Sequence, residues 1–373
     1  MRAQNYLEID LTKLQRNLQN LKALAKGKKF LAVVKSNAYG HGLIRCARTF
    51  VQAGADWLGV ANIFEAFELR QNNILKPILV LNSIAIEDVR LAANQDISIP
   101  VFDMEQAKLI EAITFDKPLK IHIKIETGLN RLGFKKEQLS ELIDVLKHNK
   151  NIVIEGIYSH FAAIEEENFE YAKTQIEEFK EAIKISEKLG IKNVLKHIAA
   201  SAAVLTIPES HFDMVRCGIA LYGLWPSQEI KKDVNNENLI EPVLSFKSEI
   251  IHIKKVEAGA KIGYGCAYQA KKDLIIAVIP TGYYDGLDRH LSNPSKKGNI
   301  LVNGQKCPII GRICMNMTIV DVTGLDVKIG DEVVIIGKQG NEEITVDEIA
   351  KTLGTINYEI IARIPEHLER KYI

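Results

Sequence analysis

The first residues with chemical promise lie early in the chain, in the run Ala32-Val33-Val34-Lys35-Ser36-Asn37-Ala38-Tyr39-Gly40-His41-Gly42. A lysine set directly behind an aliphatic strand end is partly stripped of water. Desolvation disfavours its ammonium form, so the amine becomes a nucleophile able to form a Schiff base with a carbonyl compound. The same run also fits a lysine whose stem lies on apolar surface while its head reaches solvent. Further on, the segment Lys124-Ile125-Glu126-Thr127-Gly128-Leu129-Asn130-Arg131-Leu132-Gly133 gathers two cations and a carboxylate. His160 follows, then His197 with Ser201, then Arg216-Cys217-Gly218-Ile219. The Ser201 hydroxyl and the amides of Gly218 and Ile219 suit phosphate oxygens, because glycine lets a backbone approach closely. A capping serine and a turn glycine are the plainer alternatives. His160 and His197 with Glu126 are also a set that zinc accepts, but neither histidine has an HxH or HxxxH partner.

Something must hold these residues together. From Phe30 to about Arg216, short aliphatic runs alternate with stretches of helical period. The runs are Phe30–Val34, Trp57–Val60, Ile78–Leu81, Ile97–Val101, Leu119–Ile125, Ile152–Tyr158, Val194–Ile198 and Met214–Val215. Several are apolar at nearly every position, as strands buried on both faces are. The clearest helix is Asn168–Leu189, with Phe169, Ala172, Ile176, Phe179 and Ile183 on one face and Gly190 as its stop. Eight such units predict a (β/α)8 barrel. An open doubly wound sheet is the competing α/β arrangement. It calls for a glycine-rich dinucleotide turn, and neither GxGxxG nor GxxxxGK[ST] is present. In a barrel, functional residues sit behind the C-terminal ends of the strands, and phosphate binds to the loops after strands seven and eight. Lys35, Lys124, His160, His197, Ser201 and Arg216 all fall there.

The texture then changes. Trp225–Glu241 is polar and reads as a linker. Behind it come short runs at Val243–Val256, Leu274–Pro280, Asn299–Val302, Pro308–Ile310, Thr318–Val322 and Glu332–Ile336, with turn chemistry such as Asn303-Gly304 and Gly330-Asp331. Thr345 and Glu348 form a capping box for one late helix, which Gly354 ends. The expected division is a barrel over residues 1–235 and a mostly β C-terminal domain over 236–373, with the first residues able to pack on the β domain.

Hydrophobic residues make up 47% and charged residues 25% of the 373, with a formal net charge of +1. That balance belongs to a soluble globular protein and gives no basic surface for nucleic acid or an anionic membrane. No apolar run nears the roughly 20 residues that span a bilayer, and the first ten residues lack a signal-peptide core. The expected compartment is the cytoplasm. The five cysteines are odd in number and scattered, which points to reduced thiols rather than disulfides or a zinc knuckle.

With these residues in view, the chain resembles the alanine racemases. The run around Lys35 is similar to their pyridoxal-phosphate attachment motif. So are Leu7-Glu8-Ile9-Asp10-Leu11 with Asn17, Thr127-Gly128-x-x-Arg131-Leu132-Gly133, His197-x-x-x-Ser201 and Arg216-x-Gly218-Ile219-x-x-Tyr222-Gly223. Later matches are Tyr264-Gly265, Gly282-Tyr283-x-Asp285-Gly286 and Gly311-Arg312-x-Cys314-Met315. The resemblance implies pyridoxal 5′-phosphate on Lys35, with Lys35 as one catalytic base. It implies Tyr264, from the other subunit of a homodimer, as the opposite base. Arg216 would face the pyridine nitrogen and His160 the ring. Tyr39, Ser201, Gly218, Ile219 and Tyr358 would surround the phosphate. Arg131 and the partner's Met315 amide would hold the substrate carboxylate side, Lys124 would be open to carbamylation, and Tyr283 would line the entrance. Two bases on opposite faces can remove and return an α-proton without turning the substrate. The implied role is supply of D-alanine for peptidoglycan, by interconversion of the two alanine enantiomers.

This chain departs from the common family pattern at Glu126 for Asp, Ala200 for Asn, Cys217 for Pro, Gly263 for Ser and Asn316 for Asp. The segment behind Tyr358 also lacks a frequent tyrosine-arginine-proline ending. The two bases are unaffected. Other readings are a racemase for a different amino acid, an amino-acid decarboxylase of the same cofactor class, and a non-catalytic single-barrel carrier. The long β domain speaks against the last.

Overall fold

The aliphatic runs become strands. A computed structural model describes residues 4–164, 169–236, 238–292 and 298–373. Strand β1 is Tyr6–Ile9. The next eight are β2 (Lys29–Val33), β3 (Trp57–Val60), β4 (Ile78–Val80), β5 (Ile97–Val101), β6 (Leu119–Lys124), β7 (Ile152–Tyr158), β8 (Leu195–His197) and β9 (Met214–Cys217). Among the described residues these eight form one parallel sheet in the order β8-β7-β6-β5-β4-β3-β2-β9. Backbone hydrogen bonds from Asp213 N to Lys196 O and from Arg216 N to Ala199 O, both 3.0 Å, join β8 to β9 and close the ring. Helices lie between the strands, so the architecture is a (β/α)8 barrel. Strands β3, β4 and β5 are buried at every position, as their largely apolar sequences require, with Ser98 the one buried hydroxyl in β5.

By their internal contacts the residues form two compact units. One comprises Thr12–Ala38 and Leu43–Pro242, the barrel. The other comprises Met1–Leu11, Tyr39–Gly42 and Val243–Ile373 in their described parts. This second unit is mostly β. Its strands are β10 (Leu244–Glu249), β11 (His252–Val256), β12 (Lys261–Ile262), β13 (Tyr268–Gln269), β14 (Leu274–Ile279), β15 (Asn299–Val302), β16 (Gln305–Pro308), β17 (Thr318–Asp321), β18 (Glu332–Gln339), β19 (Glu342–Ile344) and β20 (Glu369–Tyr372). The main sheet runs β16-β15-β18-β10-β1-β20, so β1 is a central strand there, antiparallel to β10 and parallel to β20. Strands β11, β14 and β17 form a second sheet, and β12 and β13 a hairpin.

Local differences from the sequence reading have physical causes. The helix expected from Asn168 to Leu189 runs Glu170–Lys188, and Asn168 itself lies outside the described residues. Arg216 and Cys217 lie inside the last barrel strand rather than behind it. The expected linker contains a helix, Gln228–Val234, which Ser227 caps through the amide of Ile230 at 3.2 Å and Asn235 ends in the left-handed region. Two turns with one buried residue, Ile230, leave too little periodicity to notice. Among the described residues no helix is long and apolar enough to cross a membrane.

One irregularity shapes the barrel interior. Ile121 pairs with Ile154, but His122 pairs with Gly156, so Glu155 is an extra residue in β7. This bulge turns Glu155 toward the neighbouring strands β5 and β6. Gly156 then has to be small, because a Cβ there would stand 2.1 Å from Nδ1 of His122. Gly156→Ala is expected to lower stability by about 1–3 kcal/mol through overpacking, seen as a lower urea midpoint with an unchanged slope. A wild-type midpoint would show that His122 can move aside freely.

Candidate active site

Lys35 follows β2, where the amide of Val34 still reaches the carbonyl of Gly59 at 2.7 Å. The chain then does something costly. Ser36, Asn37 and Ala38 all lie in the left-handed helical region, at φ 55°, 53° and 53°. None is glycine, and each such residue costs roughly 1–2 kcal/mol. Lys35 itself is half-buried. Burial lowers its proton affinity first, the Arg131 guanidinium lowers it further, and Glu65 pulls the other way. Its amine is therefore easier to deprotonate than an ordinary lysine's, as a Schiff-base lysine needs.

The barrel mouth is rich in cations. Lys35, Lys124, Arg131 and Arg216 influence one another there. Burial, then Arg131 and Arg216, bring Lys124 down to about 8, with Glu126 opposing. Two nearby carboxylates, Glu65 and Glu126, offset part of this charge, but their oxygens are bonded to backbone amides rather than to the cations. Glu126 accepts from the amides of Gly128 and Arg131, and Glu65 from those of Asn37 and Ala61. Such a donor set fits a ligand that brings several negative charges and a carbonyl to Lys35. Behind it, the hydroxyl of Tyr158 is buried without a hydrogen-bond partner among the described residues. The ring of Tyr158 stacks on His197 at 5.0 Å and faces the cations, with Lys124 Nζ at 5.5 Å and Arg216 Cζ at 5.4 Å from its centroid.

Arg216 is only 4% exposed, and burial draws it down to about 10, so it stays charged at neutral pH. Its Nη2 donates to the carbonyls of Ser159 (2.7 Å) and Ile198 (3.1 Å) and to Nδ1 of His160 (3.2 Å). Its Nη1 donates to Nδ1 of His197 at 2.8 Å. An arginine only donates, so Nδ1 of His197 must accept and the proton of this neutral ring sits on Nε2. That Nε2 lies 2.9 Å from Nδ1 of His122, which therefore accepts in turn. The His122 proton is then on Nε2, 3.3 Å from Oε2 of Glu155, which also accepts from Ser98. Burial keeps all three histidines below their ordinary value; for His160 the surrounding cations add to it, and for His122 the bond to Glu155 offsets part of the shift. The result is one directed chain, Arg216 to His197 to His122 to Glu155. It gives the two histidines proposed as metal ligands a different occupation, since both turn Nδ1 to a guanidinium.

The loops after β8 and β9 also take shape. Ser201 begins the helix Ser201–Thr206, and its hydroxyl accepts from the amides of Gly218 (2.9 Å) and Ala220 (3.4 Å). The hydroxyl of Tyr222 donates to Val33 O at 2.9 Å and ties this loop to the strand before Lys35. Gln175 bonds Thr127, the His160 carbonyl and the amide of Ala162, fixing the loop after β7.

The β unit gathers the remaining residues. Tyr39 and Tyr358 approach with ring centroids 6.4 Å apart. Tyr264 stands 68% exposed at the turn of the β12–β13 hairpin, which Ile262 and Tyr268 anchor in a small core with Leu274, Ile276 and Ile310. Tyr283 and Met315 are 43% and 54% exposed on segments joined by Tyr283 N to Cys314 O and Tyr284 N to Met315 O.

Comparison with known proteins finds similarity along nearly the whole chain. A sequence model of the alanine racemase N-terminal domain matches residues 9–226, and one of the C-terminal domain matches residues 243–372. The chain belongs to the alanine racemase family. An alanine racemase of Methanococcus maripaludis is 39% identical over 99% of this chain and 98% of its own length. One of Clostridium tetani is 40% identical over 99% and 95%. Among solved structures, the alanine racemase of Bacillus anthracis with bound L-Ala-P superposes with a TM-score of 0.95 at 34% identity, covering 100% of this chain and 96% of that one. That of Clostridium difficile in complex with cycloserine gives 0.90 at 35% identity, with the same coverages.

This family member's departures have local settings. Gly263, before Tyr264, lies at φ +74°, a backbone that serine adopts only under strain. Ala200 is the N-cap of the helix Ser201–Thr206 and brings no side-chain oxygen to it. Cys217 is buried in β9, paired with Ala32, and keeps the amide that proline lacks. The sequence reading missed His122, Glu155, Tyr158, Gln175 and Glu65. The pattern Lys120, His122, Lys124 at alternate positions of an otherwise aliphatic strand was the readable signal for the first of these.

Glu155 provides a pH test. Burial pushes its carboxyl up, but hydrogen bonds from His122 and Ser98 outweigh that and hold it below its ordinary value. A lowered folded value means stability present above the unfolded pKa and lost as the pH falls through the folded one. The stability difference between wild type and Glu155→Gln is expected to be largest near pH 6–7 and to shrink below about pH 4. Urea unfolding across that range measures it, and a constant difference would mean that the charge of Glu155 is not what the interior uses.

Proposed function

We propose that this chain interconverts L- and D-alanine with pyridoxal 5′-phosphate held on Lys35, as a homodimer whose sites are each completed by the other subunit. The observation that carries the reading is the half-buried Lys35 amine among cations that make no salt bridge among the described residues, in a chain of this family. The cofactor supplies an electron sink that acidifies the α-carbon of a bound amino acid. Phosphate and phenolate oxygens match the cationic mouth. Ser201, Gly218 and Ile219 are proposed for the phosphate, together with Tyr39 and Tyr358 on the strength of the resemblance. Arg216 would donate toward the pyridine nitrogen without yielding its proton, and His160 would lie against the ring.

Lys35 Nζ would take or return the α-proton on one face, and Tyr264 Oη of a second copy would act on the other. Arg131 and the Met315 amide would hold the carboxylate side, with Tyr283 at the entrance. The exposure of Tyr264, Tyr283 and Met315 supports their meeting a second copy. Lys124, lowered to about 8, has enough neutral amine near pH 7 to add carbon dioxide, giving a carbamate and releasing a proton. That anion would face Arg131. Supply of D-alanine to peptidoglycan in the cytoplasm is the accompanying role.

The purified protein should bind pyridoxal phosphate with a visible absorbance that borohydride fixes on Lys35. It should exchange the α-hydrogen of both alanine enantiomers in deuterium oxide, faster than those of serine or lysine. A colourless protein, or one that exchanges neither enantiomer, would sink this reading. Subunit sharing has its own test. Lys35→Ala and Tyr264→Phe homodimers should each be nearly inactive. After mixing and exchange, half the dimers are hybrids with one intact site, so about one quarter of wild-type activity should return. No recovery would place Tyr264 beside the Lys35 of its own chain. Enriched bicarbonate should give a carbamate carbon signal that Lys124→Ala abolishes.

A further inference from the structure

The left-handed turn behind Lys35 needs something to hold it. Ser36, Asn37 and Ala38 adopt it without a glycine. The amide of Ala38 reaches Val34 O at 2.9 Å, and Leu43 N donates to Oδ1 of Asn37 at 2.7 Å, so the turn is tied at both ends. Its middle is tied by a residue far along the chain. Glu65 lies in the first turn of the helix Ile63–Gln71, where the amide of Glu65 donates to the Asn62 cap at 3.0 Å. Its Oε1 accepts from Asn37 N at 3.1 Å, and its Oε2 accepts from Ala61 N at 2.8 Å. One carboxylate thus spans the end of β3 and the strained turn.

We propose that Glu65 is a positioning residue for Lys35. Its two oxygens lock the left-handed turn against the end of the neighbouring strand, and this sets where the Lys35 amine stands. This rests on the reading of Lys35 as the amine that carries the cofactor. A carboxylate suits the task because both partners are N–H donors. A glutamine offers one oxygen and turns its own donor toward the second amide. An aspartate keeps the charge but is one methylene shorter. Glu65 also pulls the Lys35 proton affinity upward against burial and Arg131, which fits a carboxylate close to that amine.

The test uses the full-length, cofactor-loaded chain. Amide hydrogen exchange is read by mass spectrometry on the peptide covering residues 35–43. Glu65→Gln should speed exchange of this segment about tenfold, with the rest of the barrel unchanged. In turnover, kcat should fall about 10- to 100-fold while KM changes little, as misplacement of a reacting group does. Glu65→Asp should behave alike, since reach and not charge is lost. Adding Ser36→Gly to Glu65→Gln should restore part of kcat and of the protection, because glycine occupies the left-handed region without penalty. A loss due to charge or to general unfolding would not respond to that glycine. Unchanged exchange at 35–43 in Glu65→Gln and Glu65→Asp, or no rescue by Ser36→Gly, would overturn the proposal. Exchange is measured without turnover, and borohydride fixation with peptide mapping tests Lys35 separately, so failure of the clamp and failure of the Lys35 assignment give different results.

Discussion

A buried guanidinium with no carboxylate against it among the described residues is the constraint around which the barrel interior is arranged. Taking such a cation out of water costs several kcal/mol even after relaxation. The barrel offsets this with neutral acceptors: two backbone carbonyls and two imidazole nitrogens around Arg216. The nearest carboxylate in the chain of bonds, Glu155, lies two histidines away. Each ring must therefore be neutral and of one tautomer, for a protonated His197 would aim a proton at a guanidinium. The negative charge at Glu155 and the positive charge at Arg216 then polarise the bonds between them in one sense. An ion pair in direct contact would have spent the donors of Arg216 on its own partner.

That requirement reaches back into the fold. Placing a carboxylate beside His122 takes an extra residue in β7, and the bulge supplies it. Bringing His122 up to the same strand takes a glycine at 156. Keeping Arg216 in reach of His160 and His197 takes a side chain that starts inside β9, with its backbone bonded to Ala199. The closing bond of the barrel and the placement of its buried charge are thus the same stretch of chain. Tyr158, stacked on His197 and facing both Lys124 and Arg216, covers this line of polar groups with an apolar ring.

The sequence made the barrel and most of the mouth readable because strand ends in such a fold are where chemistry gathers. Lys35, His160 and Ser201 were visible as polar residues just behind aliphatic runs, and Lys124 and His197 as polar residues that end their strands. Arg216 was found for the same reason, although it belongs to the strand. Glu155 was not, because a bulge has no signature in a single run such as Ile152–Tyr158, and its polarity reads as a solvent-facing position. Glu65 was hidden in another way. On a helix with little amphipathic contrast, its glutamate looks like any other in a first turn. Only the strained backbone at residues 36–38, which no residue type there announces, gives that carboxylate a reason.

Two opposed demands meet at Lys35. Its amine has to be poor at holding a proton, which burial and Arg131 provide, yet an amine without nearby negative charge would be harder to keep among the cations. A nearby carboxylate that is bonded to backbone amides resolves the conflict. Glu65 adds its field without neutralising the amine through a salt bridge, and its oxygens are committed to Asn37 and Ala61. The strained turn adds a second advantage. A glycine-rich turn would reach the same shape with less strain but at a larger loss of chain entropy on folding. Side-chain-bearing residues forced into the left-handed region have few other places to go once both ends and the middle are tied. The geometry at Lys35 is then set by the scaffold before any ligand arrives.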